Sequence, residues 1–415
     1  MKGLPGFRDF YPEPIPTVDS WSLDLRRYIF DTWRGTAEHY GFREYDGPPI
    51  EELDLYTKKS GNEIVGQLYN FTDKGDRNVS LRPEMTPTLA RMAASHTRNY
   101  KKPIKWFSIP QLFRYERQQK GRLREHFQFN ADIIGEEHLA ADAELIALLI
   151  DTLRDLKLTS DDFVVRLSSR RAWQDFFGNG GGQEKDAYGF YQLIDKLDRE
   201  DPAVSGDKLA KLGFSLEQVN DFIESGQPTD ELAGIIGNIG ARGLGGFIKI
   251  DYRIIRGLAY YTGPVYEAFD KRGKFRAIAG GGRYDHLVKL VSDGKSDLPA
   301  LGFGMGDVVL AELLKDRGLV PPLGQALDAF VQIADESLRN ASLGLVQQLR
   351  QAGLATEYPL LKTKPDKQLK RALELNAKWL VTLDNPTQAR VKNLKTRGEQ
   401  TCLFDEVARI AKANT

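Results

Sequence analysis

Residues 112–134, LFRYERQQKGRLREHFQFNADII, decide how this chain is to be read. If 127–134 is a strand, Phe127, Phe129, Ala131 and Ile133 share one face, while Gln128, Asn130 and Asp132 share the other. Segment 104–116 alternates in the same way, with Arg114 and Glu116 opposite Phe113 and Tyr115. Together they predict an antiparallel hairpin with a long polar turn, apolar beneath and polar above. The turn adds Arg117, Lys120, Arg122 and Arg124 against Glu125, a local positive excess. Such a surface suits a ligand bearing phosphates and an amino group, because guanidinium forks hold phosphate oxygens and carboxylates hold ammonium. The solvated face of an ordinary antiparallel sheet would give the same pattern.

Working outward, RPEMTPT (82–88) places Arg82, Glu84 and Thr86 at period two; a charged strand end and a helix cap at Thr86 explain it equally well. In 251–267, DYRIIRGLAYYTGPVYE, Arg256 precedes a glycine and the Tyr260-Tyr261 pair. An arginine in an apolar strand is costly unless it meets an anion, either a ligand or the carboxylate of Asp251 or Glu267. GGGRYD (280–285) and GFGMGD (302–307) fit neither the P-loop nor the dinucleotide-binding spacing, and close backbone approach accounts for the glycines as well.

The spacing of Leu25, Ile29, Phe30, Trp33 and Ala37 predicts an amphipathic helix over 20–40, stopped at Gly41. NVSLRPEM reads as a strand leading into a helix, TPTLARMAASH, and 139–156 as a further helix. Glycine, aspartate and short helical patterns fill 163–247, which reads as an insertion. Strand signals return at 248–256, 264–269 and 275–279, with a helix from about 305 to 315. PPLG at 321–324 reads as a linker, beyond which strands and helices alternate as in a compact α/β domain.

Composition sets the bounds. The 415 residues are enough for two or three domains with a large core. Lys+Arg and Asp+Glu both number 58, so a protein coating nucleic acid through bulk charge is excluded and any polyanion site must be local. Cys402 is the one cysteine, which removes internal disulfides and Cys-rich zinc sites, and His39, His96, His126, His138 and His286 form no metal-binding motif. No metal site is expected in the protein itself. Absence of a membrane span or a signal-peptide pattern leads to the expectation of a cytoplasmic protein.

In order and spacing, GLPGFRDFYPEP (3–14), LRPEMTPTLAR (81–91), FRYER with GRLREHFQFNADIIG (113–135), RGLAYY (256–261), GGGRYD, GFGMGD and the C-terminal α/β domain resemble histidyl-tRNA synthetase, a class II aminoacyl-tRNA synthetase. The likeness is to a divergent branch with plant organellar and some bacterial members. It implies an α+β fold, an antiparallel catalytic sheet flanked by helices and built from 1–162 and 248–320. It further implies a helical insertion over 163–247 that clamps the tRNA acceptor arm, an anticodon-binding domain over 326–415, and a homodimer formed through the first helix and the strand at Pro48. By the same resemblance, Arg114 holds the ATP α-phosphate, Glu116 helps place adenine, and Arg122 lies near the outer phosphates, which carry Mg²⁺. Glu84, Thr86 and Gln128 receive the histidine ammonium, Asp132 and Tyr261 read the imidazole, and Tyr260 lines the pocket. Arg256 matches the catalytic arginine at the reacting carboxylate and α-phosphate. The implied activity is formation of histidyl-adenylate from histidine and ATP, then transfer of histidine to the 3′ end of tRNA(His).

The chain departs from the family pattern at two places. Ala259 replaces an aspartate in RGLAYY, and Val309 stands where an arginine that packs on ATP is usual. Arg276, just before GGGRYD, is the candidate replacement. The basic run KTKPDKQLKRALELNAK (362–378) suits tRNA phosphates once the resemblance is granted. A different class of protein, the inactive histidine-binding regulatory subunit of ATP phosphoribosyltransferase, shares the scaffold. Against it stand the C-terminal domain and the presence of Arg114, Glu116 and Arg256.

Overall fold

The structure is a computed structural model that describes residues 3–12, 21–60, 62–115, 121–197, 200–255, 261–324 and 327–413. The chain divides into two compact units, Met1–Pro321 and Pro322–Thr415, meeting at the Pro-Pro of the linker expected from sequence. Among the described residues no helix is long and apolar enough to cross a membrane.

The first unit is built on a nine-stranded sheet. In chain order its strands are β1 (Arg43–Glu44), β2 (Ile104–Ser108), β3 (Gln111–Phe113), β4 (Glu125–Ile134), β5 (Phe163–Ser169), β6 (Ile248–Ile250), β7 (Pro264–Asp270), β8 (Ala279–Arg283) and β9 (Ala300–Gly306). Across the sheet they run β6-β5-β7-β8-β9-β4-β2-β1, with β3 continuing the β2 side of β4. The interior is antiparallel and the two edge pairings, β1 with β2 and β6 with β5, are parallel. The expected hairpin is present, but its first arm breaks at Ile109-Pro110. Proline has no N–H for the ladder, so the strand restarts as β3 opposite Phe127–Glu125.

Three helices cover one face of the sheet: α1 (Leu23–His39), α3 (Ala140–Asp155) and, after β9, α4 (Asp307–Arg317); α2 (Thr86–Ser95) lies elsewhere in the unit. Helix α1 begins as its sequence requires, with the Ser22 hydroxyl accepting from the Leu25 N–H, and ends before Gly41 at φ +76. It buries Leu25, Ile29, Trp33 and Ala37, and Trp33 stacks on Phe129 of β4 at 5.7 Å between centroids. Phe129, Ala131 and Ile133 are fully buried on this side, as the alternation of β4 predicts. Asn130 and Asp132 on the opposite face are buried as well, so that face is not a solvated surface.

Other expectations need correction. Thr86 does not cap α2. Met85 occupies the cap position without a side-chain bond, and Thr86 is the first helical residue. The segment expected to open the insertion, from 163, begins with β5, which pairs along its length with β7; the helical part is 170–241. Phe163, Val165 and Leu167 are buried at period two, a strand signal hidden among helical neighbours. Five helices follow between Arg170 and Ala241, packed around Trp173, Phe177, Phe190 and Phe214. Strand 248–256 shortens to β6, and the strand expected at 275–279 lies four residues later. Both glycine-rich motifs turn out to be strand, GGGR in β8 and GFGMG in β9.

The second unit is α/β. Its five strands run in the order Thr356–Glu357, Ala329–Gln332, Trp379–Asn385, Gln388–Asn393, Glu399–Leu403, parallel through the first three and antiparallel beyond. Helices Arg339–Gln351 and Val407–Lys412 pack with Val331, Val381 and Val391. Helix Pro365–Glu374 packs with Phe330 and Leu380, which alternate to the other face.

Candidate active site

Above the face of the sheet opposite α1 and α3, and reaching the first turn of α4, lie two adjoining cavities. One, of about 90 Å³, is lined by Glu84, Thr86, Arg114, Gln128, Asp132 and Tyr261, together with Asn130 and Tyr284. The other, of about 920 Å³, is lined by Arg114, Arg122, His126, Glu267, Arg276 and Val309, among others. Arg114, Gln128, Gly280 and Gly304 border both. Residues drawn from five separate stretches of sequence are thus gathered by the register of β4, β8 and β9. Glu116, Arg256 and Tyr260 lie outside the described residues, as do Arg117 and Lys120 of the turn.

The room for this polar face comes from glycine. β9 pairs with β4 so that Gly302 lies opposite Asp132 and Gly304 opposite Asn130. A Cβ on Gly302 would overlap the Asp132 carboxylate, and one on Gly304 would stand 2.6 Å from the Gln128 amide. On β8, a Cβ at Gly282 would stand 3.0 Å from the Tyr261 ring. The two glycine motifs therefore build a backbone floor across which longer side chains from β4 and the 261 segment reach.

Asp132 accepts a hydrogen bond from the Tyr284 hydroxyl, and burial pushes its carboxyl up to about 7. His126 is held the other way. Burial, then the cations Arg114, Arg8 and Arg122, push its imidazole down to about 3, so it stays neutral. The Arg114 Nε donates to the Pro83 carbonyl at 3.0 Å, which orients its guanidinium from the RPEM segment. Arg82, at first sight an equal partner of Glu84 and Thr86, faces away. It is buried and donates to the Gln111 and Gly47 carbonyls and to Asp46. Asp251, one candidate counter-ion for Arg256, is engaged by Arg166 at 3.2 Å.

Two features of the cavity walls have no local signal in the sequence. Tyr284 lies in the GGGRYD motif, but its contact with Asp132 spans 152 positions and nothing local points to it. The glycines were legible as close-approach residues, but what approaches them was not. Among the described residues no cluster of His, Cys, Asp or Glu could hold a metal ion. Glu267 is the one carboxylate among the described residues lining the larger cavity. That suits Mg²⁺ arriving on substrate phosphates, which needs one or two protein carboxylates and otherwise keeps its waters.

The family profile described as histidyl-tRNA synthetase matches residues 23–307. The histidine–tRNA ligase of Opitutus terrae is 43% identical over 96% of this chain and 95% of its own length. The chloroplastic/mitochondrial histidine–tRNA ligase of Arabidopsis thaliana is 38% identical over 91% of this chain and 79% of its own, and that of Thermoplasma volcanium 38% over 96% and 95%. Among solved structures, the histidyl-tRNA synthetase of Nostoc sp. PCC 7120 superposes with a TM-score of 0.77 at 24% identity, covering 94% of this chain and 96% of that one, a likeness of fold. This chain belongs to the histidyl-tRNA synthetase family.

Proposed function

We propose that the protein is a histidine–tRNA ligase. It joins histidine and ATP into histidyl-adenylate with release of pyrophosphate, then passes histidine to the 3′ end of tRNA(His). The observation that carries this reading is the pair of adjoining cavities bordered in common by Arg114 and Gln128. A small polar pocket beside a large one with arginines on its walls fits an amino acid presented to a nucleotide.

On this reading the small cavity holds histidine. Glu84, Thr86 and Gln128 take the ammonium, Asp132 and Tyr261 the imidazole, with Tyr260 and Arg256 completing the site. ATP occupies the large cavity, its α-phosphate at Arg114, its outer phosphates with Mg²⁺ at Arg122, and its adenine near Glu116. Attack of a carboxylate on a phosphate brings two anions together, so the protein's work is positioning and charge compensation by Arg114 and Arg256. Arg276 lines the same cavity as Val309, which supports its standing in for the arginine absent there. Segment 170–241 would hold the acceptor arm and the second unit the anticodon, in a cytoplasmic homodimer. The names of the relatives favour this reading over the inactive regulatory subunit.

The test is ATP–pyrophosphate exchange across a panel of amino acids. Exchange with histidine alone, abolished in Arg256→Ala, is expected; histidine binding without exchange would point to the regulator instead. In the same assay Arg276→Ala should raise the KM for ATP, and an unchanged KM removes Arg276 from the site.

A further inference from the structure

The N-terminal segment contributes a side chain that neither cavity contains. Arg8 lies beneath the sheet, its side chain 2% exposed, between two buried carboxylates. Its Nε donates to Glu125 at 2.6 Å and its Nη1 to Asp307 at 2.8 Å. Glu125 is the first residue of β4, and Asp307 is the first residue of α4, directly after β9.

These positions frame the floor of the larger cavity. The ladder between β4 and β9 ends at Gln128 and Gly306, where the chain turns into α4. The next N–H, of Phe127, donates instead to the Asp307 carboxylate at 3.0 Å, so that side chain extends the sheet where backbone no longer can. Beyond Asp307, Val308 and Val309 form one wall of the cavity, and beyond Glu125, His126 forms another. Two carboxylates brought together under the sheet would repel each other and suffer from burial; burial pushes the Asp307 carboxyl up, and the Arg8 cation opposes that. The Arg8 Nη2 donates to the second oxygen of each, at 3.3 Å to Glu125 and 3.4 Å to Asp307, so one forked cation holds both carboxylates two-pronged and fixes the start of β4 and the start of α4 at one separation.

We propose that Arg8 is a positioning residue for the nucleotide cavity, clamping the start of β4 to the start of α4 and so setting the distance between the walls that receive ATP. The imidazole end of the histidine pocket lies further along the same strands, at Asp132 and Gly302, while Gln128 at the ladder end borders both cavities. The clamp therefore acts chiefly on ATP. This inference rests on the proposed assignment of the larger cavity to ATP.

A structural control exists in the same helix. Arg317, at the far end of α4, is equally buried and joins Asp162 and Asp270, none of which lines either cavity. Arg8→Gln and Arg317→Gln should both lower the melting temperature. Only Arg8→Gln should weaken ATP binding by calorimetry and raise the ATP KM in exchange, by about ten-fold or more, with the histidine KM unchanged. Arg8→Lys, which keeps charge but loses the fork, should fall between. Should Arg8→Gln fail to fold, Asp307→Asn is read in the same way. Unchanged ATP affinity in the folded variant, or an equal loss in Arg317→Gln, overturns the clamp. Calorimetry decides this whether or not the unsubstituted protein catalyses exchange, whereas absence of exchange there counts against the proposed function alone.

Discussion

Asp132 concentrates the chemistry of the smaller cavity. A carboxyl whose value in the folded protein is pushed from 3.8 up to about 7 takes up a proton on folding between those values, so its contribution to stability falls as pH rises through that window. Asp132→Asn should therefore melt roughly 2 °C or more above the unsubstituted protein at pH 8 and no higher at pH 5. The same substitution should abolish the preference for histidine in exchange, because an imidazole N–H needs the carboxylate as acceptor and the buried partner group is then wrong for it. A melting difference that does not change with pH would mean that Asp132 is ionised throughout. Asp132 was legible in the sequence from its place on the polar face of β4. Tyr284, which donates to it, was not, because nothing local connects a tyrosine after GGGR to an aspartate on another strand.

The informative elements are the two glycine-bearing strands. β8 and β9 have little propensity to be strands, since glycine has no side chain to pack and loses most conformational freedom on ordering. They are strands because β7 on one side and β4 on the other supply ladders in register. What glycine gives in return is depth, the space above the sheet that Gln128 and Asp132 fill. Gly302→Ala should leave the protein folded but displace the Asp132 carboxylate, lowering histidine-dependent kcat/KM by about 10²-fold, as a 1 Å misplacement can. Retained activity would show that the side chain has another place to go. Helix α1 and strand β4 were readable directly, because their apolar residues recur at the period of their own backbone; β5 was concealed by the helices that follow it.

At the scale of the molecule, the division at Pro321 and Pro322 separates two units that each have their own core. Each should fold alone. The chain cut after residue 321 should keep histidine-dependent exchange and lose charging of tRNA(His) by more than about ten-fold, because the cations of 362–378 go with the second unit and phosphate contacts carry much of the affinity for nucleic acid. Equal charging by both forms would remove the second unit from tRNA binding. By itself the sequence determined the neutral, disulfide-free character of the protein, the polar and apolar faces of β4, helix α1, the linker, the C-terminal α/β unit and, through ordered motifs, the family. Those are properties of composition and of periodicity within one element, which the chain carries wherever it goes. Only the tertiary structure decided that Arg82 turns away while Glu84 and Thr86 turn in, that the glycine runs are strands, and that Arg8 meets Glu125 and Asp307. Each of these depends on which strand lies beside which, and contacts that span from 29 residues, Arg82 with Gln111, to 299, Arg8 with Asp307, leave no period in the sequence to be read.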